Sequence, residues 1–169
     1  KAYNAKNRNY CCPEIQDHSV SFVEAKRLRH CLIEYLQQNE LYVPNDIQLG
    51  KEPSGILLYG TNAVGKTSLI RALGIAVIMA QCGMYVPCSQ FVFKPYSSVF
   101  SRILGNDNLF RGLSTFAVEM SELRVILKNA DKYSLILGDE LCSGTELQSA
   151  LSIFVSGLKR LHTRRRSFI

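Results

Sequence analysis

The chain has no CxxC pair, and none of its six cysteines (Cys11, Cys12, Cys31, Cys82, Cys88, Cys142) stands at zinc-ligand spacing from His18, His30 or His162. That pattern excludes a zinc ribbon or finger and predicts free, mostly buried thiols in a reducing compartment. Long apolar runs are missing too. The longest, Ala72 to Ala80 with its glycine counted, is far too short to cross a bilayer. Lys1 to Tyr10 contains no apolar signal-peptide core. No internal repeat or low-complexity tract is visible. Together these absences predict a soluble, intracellular protein with no membrane partner.

What is present fits a single globular unit. The 169 residues are 47% hydrophobic and 20% charged, enough to bury a substantial core. The formal net charge of +6 is local. Lys159, Arg160, Arg164, Arg165 and Arg166 supply nearly all of the excess, and the remainder is close to neutral. That run falls at a helix C-terminus, where cations suit the helix dipole. It reads as a solvated turn rather than a nucleic-acid patch, since no aromatic residues are interleaved with it.

Residues 1–20 are polar and turn-rich, a lead-in from something upstream, with residues 21–169 forming the domain. Val20 to Leu36 has partly helical character, broken by Val43-Pro44-Asn45-Asp46. Gly55 to Tyr59 is a short continuous apolar run, as expected of a buried parallel strand. Leu69, Ile70, Leu73, Ala76, Val77 and Ala80 follow a helical period, stopped by Gly83. Phe91 to Phe93 and Ser134 to Leu137 predict strands. Phe116, Met120, Leu123, Leu127 and Ala130 trace one helical stripe, and Leu147 to Leu161 another. Alternating strands and helices of this kind predict an α/β sheet with ligand at the strand carboxyl ends.

Between the first such strand and its helix lies Gly60-Thr61-Asn62-Ala63-Val64-Gly65-Lys66-Thr67-Ser68. This is a complete phosphate-binding loop pattern in its expected context. The glycines let backbone N–H groups turn toward phosphate oxygens. Lys66 reaches the β- and γ-phosphates of ATP, and the Thr67 hydroxyl ligands Mg²⁺. Asp139-Glu140 ends a later apolar strand, which puts both carboxylates on the ligand edge. There Asp139 would hold Mg²⁺, usually through water, and Glu140 would polarise the attacking water. The plainer alternative is a solvated turn. A GTPase reading fails because Asp139 is followed by Glu-Leu-Cys and no NKxD occurs. Gly60-Thr61-Asn62 with the strand ending in Asp-Glu points instead to a P-loop NTPase with an ABC-type ATPase core. Such a core has a mostly parallel sheet flanked by helices. No transporter-type LSGGQ is present.

In the place of that signature stands Ser114-Thr-Phe-Ala-Val-Glu-Met120. With Gly60-Thr-Asn62, Tyr85-Val-Pro87 and Asp139-Glu140-Leu-Cys-Ser-Gly144-Thr145, it resembles the ATPase domain of the MutS DNA mismatch-recognition family. "YCCPEI" (Tyr10 to Ile15), "LRHCLIE" (Leu28 to Glu34) and "YVPND" (Tyr42 to Asp46) extend the resemblance over residues 10–169. Its slant is toward the branch found in large DNA viruses and octocoral mitochondria. The resemblance implies ATP binding and hydrolysis coupled to clamp movement on mismatched double-stranded DNA, with DNA held by domains outside this chain. It implies a homo- or heterodimer with nucleotide between head-to-tail subunits, Ser114 reaching the partner's γ-phosphate. Ser114 is equally suited to capping its own helix. Tyr42 matches the aromatic that stacks on adenine, although the residue alone reads as core or rim. Asn62 would position the γ-phosphate or its water; alone it reads as a turn residue. Glu119 and Met120 belong to helix packing and subunit contact.

Departures from the family pattern are specific. Cys12 and Cys31 replace an Arg and a Pro, and Ser143 stands where Arg is usual. The γ-phosphate-sensing Thr-His pair and the helical dimerisation segment would follow Ile169. By itself the chain is therefore expected to be an incomplete ATPase domain, mostly monomeric, weak in ATP binding, inactive in turnover and poorly soluble. Two other readings remain open. One is a nucleotide-gated structural DNA clamp of a recombination-type MutS relative; the other is a different ABC-type genome-maintenance ATPase.

Overall fold

A computed structural model of the protein describes residues 8–36, 42–61, 64–102, 115–139 and 147–169. It is a mixed α/β arrangement built on two small sheets. The first joins β1 (Glu14–Ile15), β2 (Phe22–Leu28), β3 (Asn45–Leu49) and β4 (Gln90–Lys94) in the order β1-β4-β2-β3. β2 runs antiparallel to both β3 and β4, while β1 lies parallel to β4. The second sheet joins β5 (Ser98–Arg102), β6 (Ser134–Gly138) and β7 (Ser167–Phe168) in the order β5-β6-β7, all parallel. Only this second sheet has the expected parallel character.

The partly helical character expected of Val20 to Leu36 is corrected. Phe22–Leu28 is a central strand, and only Cys31–Leu36 forms a helix, α1. Phe22, Val23, Ala25 and Leu28 are buried. The strand kinks between Ala25 and Leu28, where Arg27 has a φ of 51° and its N–H donates to the Asp46 carboxylate at 2.8 Å. A bulge of this kind breaks strict alternation, so the local pattern mimics a helical one. Cys11 exchanges backbone hydrogen bonds with Val86 in an isolated bridge, and Glu14–Ile15 join the first sheet by pairing with β4.

Helix α2 (Lys66–Gln81) ends before Gly83, as its sequence implies. Its Ile70, Leu73, Ala76, Val77 and Ala80 fill the space between the two sheets, against Val23, Phe91 and Phe93 on one side and Leu135 and Leu137 on the other. Each of the Ile, Leu, Val and Phe side chains contributes about 1.5–3 kcal/mol on full burial. Helices α3 (Thr115–Asn129) and α4 (Leu147–Thr163) cover the opposite face of β6. Ile126, Ala130, Leu161 and Phe168 pack there around Ile136. β6 is thus buried on both faces, which is why its sequence is a continuous apolar run.

The predicted strand over Gly55 to Tyr59 is corrected as well. Gly55 makes a single parallel bridge to Phe168, and Ile56 N–H donates to the Phe168 carbonyl at 2.9 Å. No ladder continues beyond that point, and Leu57 and Tyr59 are exposed. Two further expectations change. Of the described cysteines, Cys88 is buried and its thiol is pushed up to about 12 by burial, but Cys12 and Cys82 are exposed. Within the basic run, Arg166 is buried rather than solvated, with Nη1 donating to the Leu127 carbonyl at 3.1 Å. No helix among the described residues is long and apolar enough to cross a membrane.

Candidate functional site

The loop after Tyr59 turns into α2 through Gly65, whose φ of 94° lies in the left-handed region. A Cβ there would meet nothing within 4 Å. The requirement for glycine is therefore conformational rather than steric. α2 has no side-chain cap and no acidic residue in its first turn. Its first N–H groups and the positive end of its dipole are thus left for an anion from outside the helix. Lys66 folds back over the loop, its Nζ donating to the Gly60 carbonyl at 2.8 Å and the Thr61 carbonyl at 2.6 Å. Val64 is exposed and Ser68 half-buried.

At the second residue of α2, the Thr67 hydroxyl donates to Oδ2 of Asp139 at 2.6 Å, across a sequence separation of 72 residues. Asp139 is buried at the carboxyl end of β6. Its N–H donates to the Arg102 carbonyl at 2.8 Å, and the preceding Gly138 N–H donates to Ile169 at 2.8 Å. Parallel pairing on both sides of β6 fixes the height at which this carboxylate leaves the sheet. A cavity of about 360 Å³ opens beside it, with Lys66 and Asp139 on its wall and Leu58, Ile70, Phe154 and Leu158 among its apolar lining.

The donors suit one metal class better than others. Among the described residues no group of three or more His, Cys, Asp or Glu could hold an ion. A hydroxyl and one carboxylate are hard oxygen donors. Such a pair fits Mg²⁺, which dehydrates reluctantly and shares its shell with water and phosphate oxygens. It does not fit zinc or a dedicated calcium cage.

Tyr42 is not brought to this cavity. It stands half-buried near α1, its phenol pushed up by burial, with a backbone hydrogen bond at His30 and Glu34 nearby. Asn62, Ala63, Ser114 and Glu140 lie outside the described residues. Arg102 was not singled out from the sequence, yet it connects two parts of the site. Its guanidinium meets the buried Glu119 of α3 at 3.4 Å and Glu122 at 2.9 Å, while its carbonyl holds Asp139. No local pattern marks such a residue, because each partner arrives from a different element. Glu119, expected in helix packing, is thus an ionic anchor of α3.

A family model described as MutS domain V matches residues 56–169. The chain is similar to a DNA mismatch repair mutS homolog of Acanthamoeba polyphaga mimivirus, at 38% identity over 98% of this chain and 18% of that protein. It is 45% identical, over 88% of its length, to 15% of a mitochondrial DNA mismatch repair mutS homolog of Sarcophyton glaucum. It is 38% identical, over 95% of its length, to 19% of the DNA mismatch repair protein MutS of Cytophaga hutchinsonii. The chain thus spans under a fifth of the length of these relatives.

Proposed function

Because this chain belongs to the MutS family, we propose that it is the ATP-binding and hydrolysing part of a DNA mismatch repair protein. In the whole protein, ATP·Mg turnover would drive clamp movement on mismatched duplex DNA, held by regions outside this chain. The observation that carries the reading is the 2.6 Å contact between Thr67 and Asp139. It joins the end of a phosphate-binding loop to the acidic end of a buried parallel strand. The order β5-β6-β7 followed by the Gly55 bridge also supports a P-loop core of the ABC type, with β7 between the strand of Asp139 and the segment leading into the loop.

In this reading the backbone N–H groups from Gly60 to Ser68 cradle the phosphates, including those of Thr61, Ala63, Val64 and Gly65. Lys66 exchanges its two carbonyl partners for the β- and γ-phosphate oxygens. Thr67 and Asp139 would hold Mg²⁺, which when bound offsets the negative charge that develops on the phosphates. Glu140, next along the chain from Asp139, orients and deprotonates the attacking water, and Asn62 positions it. Ser114, from the start of α3 in a second MutS-like subunit, completes the γ-phosphate contacts, and Tyr42 stacks on adenine after moving from its place near His30. Arg102 holds α3 and Asp139 at a fixed separation.

Lys66→Ala tests the nucleotide site. It removes the cation that screens phosphate repulsion, worth on the order of 1.5–3 kcal/mol for a charge-assisted hydrogen bond. ATP affinity measured by calorimetry or a fluorescent analogue should fall roughly 10–100-fold. An unchanged affinity would remove the loop from the nucleotide site.

A further inference from the structure

The carboxyl-terminal halves of α3 and α4 enclose a groove of about 440 Å³. Its floor is apolar, formed by Met120, Leu123 and Leu127 of α3. Gly157 of α4 faces Leu123 there, and a Cβ at that position would make ordinary contact with its methyl groups at 3.8 Å. The walls are cationic. Arg124 and Lys128, four residues apart, form one row along α3; Arg160 near the end of α4 and Arg164 in the turn just beyond it form a second. All four are exposed, and no carboxylate lines the groove. Among the described residues, none of the four forms an ion pair. Behind the floor lies the buried Arg166, its guanidinium held below the usual range by burial and by the positive charge of Arg164 and Arg160.

We propose that this groove is a docking site for an acidic amphipathic helix of a partner protein. Two cationic rows either side of an apolar trough match a helix that presents leucines to the floor and carboxylates to both flanks. A nucleic acid would gain little from the trough. Its phosphates need no apolar floor, and its bases would find no aromatic side chain to stack on among the lining residues. Like charges held on facing helices repel one another, so incoming carboxylates relieve a cost the fold already carries. The sequence separates the two rows by more than thirty residues, and only the packing of α3 on α4 makes them one surface. Asp139 sits at the opposite end of β6 from the turn that follows α3, so docking here leaves the nucleotide cavity accessible.

The test is fluorescence anisotropy of the full-length protein that contains this chain with a labelled helical peptide about five turns long. The peptide carries leucines at i, i+3, i+4 and i+7 and glutamates on both flanks. The combined Arg124→Glu and Arg160→Glu variant should weaken binding at least about tenfold. The charge-matched Lys132→Glu with Lys159→Glu variant, both outside the groove, and Lys159→Glu alone should each change it less than about twofold. A probe with glutamine in place of glutamate should bind more weakly than the acidic one. Circular dichroism checks that each variant folds; if the reversal does not, Arg124→Gln with Arg160→Gln replaces it, with a smaller loss expected in the same direction. Absence of probe binding, an equal loss with either control variant, or tighter binding of a short DNA duplex at the same residues would each overturn the proposal.

Discussion

Glu140→Gln is expected to leave ATP binding nearly normal while slowing hydrolysis roughly 10²–10⁴-fold, the usual contribution of a positioned general base. The expectation follows from the proposed assignment of the residue after Asp139. β6 delivers Asp139 to the Thr67 hydroxyl at the sheet's carboxyl edge, and Glu140 is the next residue in the chain. Glutamine keeps the shape and hydrogen-bonding capacity of glutamate but has no charge with which to take a proton. Binding relies on Lys66, Thr67 and the loop backbone, which the substitution leaves intact. In a full-length dimer the variant should accumulate in the ATP-bound state. Single-turnover phosphate release together with sedimentation in the presence of ATP measures both effects. Hydrolysis within a few-fold of the parent would assign the base to another residue.

Gly50→Ala is expected to cost the fold roughly 2–5 kcal/mol, combining left-handed backbone strain with overpacking. Gly50 has a φ of 105°, and a Cβ there would stand 2.5 Å from the Ser21 carbonyl oxygen and 2.7 Å from the Phe22 Cα. Both obstacles are backbone atoms of a buried segment, so no rotamer change relieves them. The position also joins the two sheets. The Ser167 hydroxyl at the start of β7 donates to the Ser21 carbonyl at 3.2 Å and would lie 2.8 Å from the new methyl group. Strain would therefore separate the first sheet from the strand that supports Gly55. With a typical domain stability of about 5–15 kcal/mol, the melting temperature should fall by roughly 5–15 °C. Thermal unfolding followed by circular dichroism reads this directly. A change of a degree or two would mean that the β3 end yields at little cost.

The glycine turn into α2, the helices and the strand that ends before Asp139 were legible in the amino-acid sequence because each is specified locally. Glycine at a positive φ, an apolar period of 3.6 and a buried four-residue run leave their mark within a few residues of one another. Of the first sheet, β4 was legible through Phe91 to Phe93, but the central strand Phe22–Leu28 was not, because its bulge breaks strict alternation and its partners lie far away in sequence. The segment Gly55 to Tyr59 shows the converse. Its residues favour a buried strand, yet among the described residues it makes only the bridge at Gly55, and Leu57 and Tyr59 are exposed. Arg102, the Thr67–Asp139 hydrogen bond and the cationic groove share one property, that their members come from different elements. Local chemistry thus determined which residues are suited to phosphate, metal or carboxylate. Tertiary packing alone decided which of them meet, because pairing and helix contact depend on register and partners that no short stretch encodes.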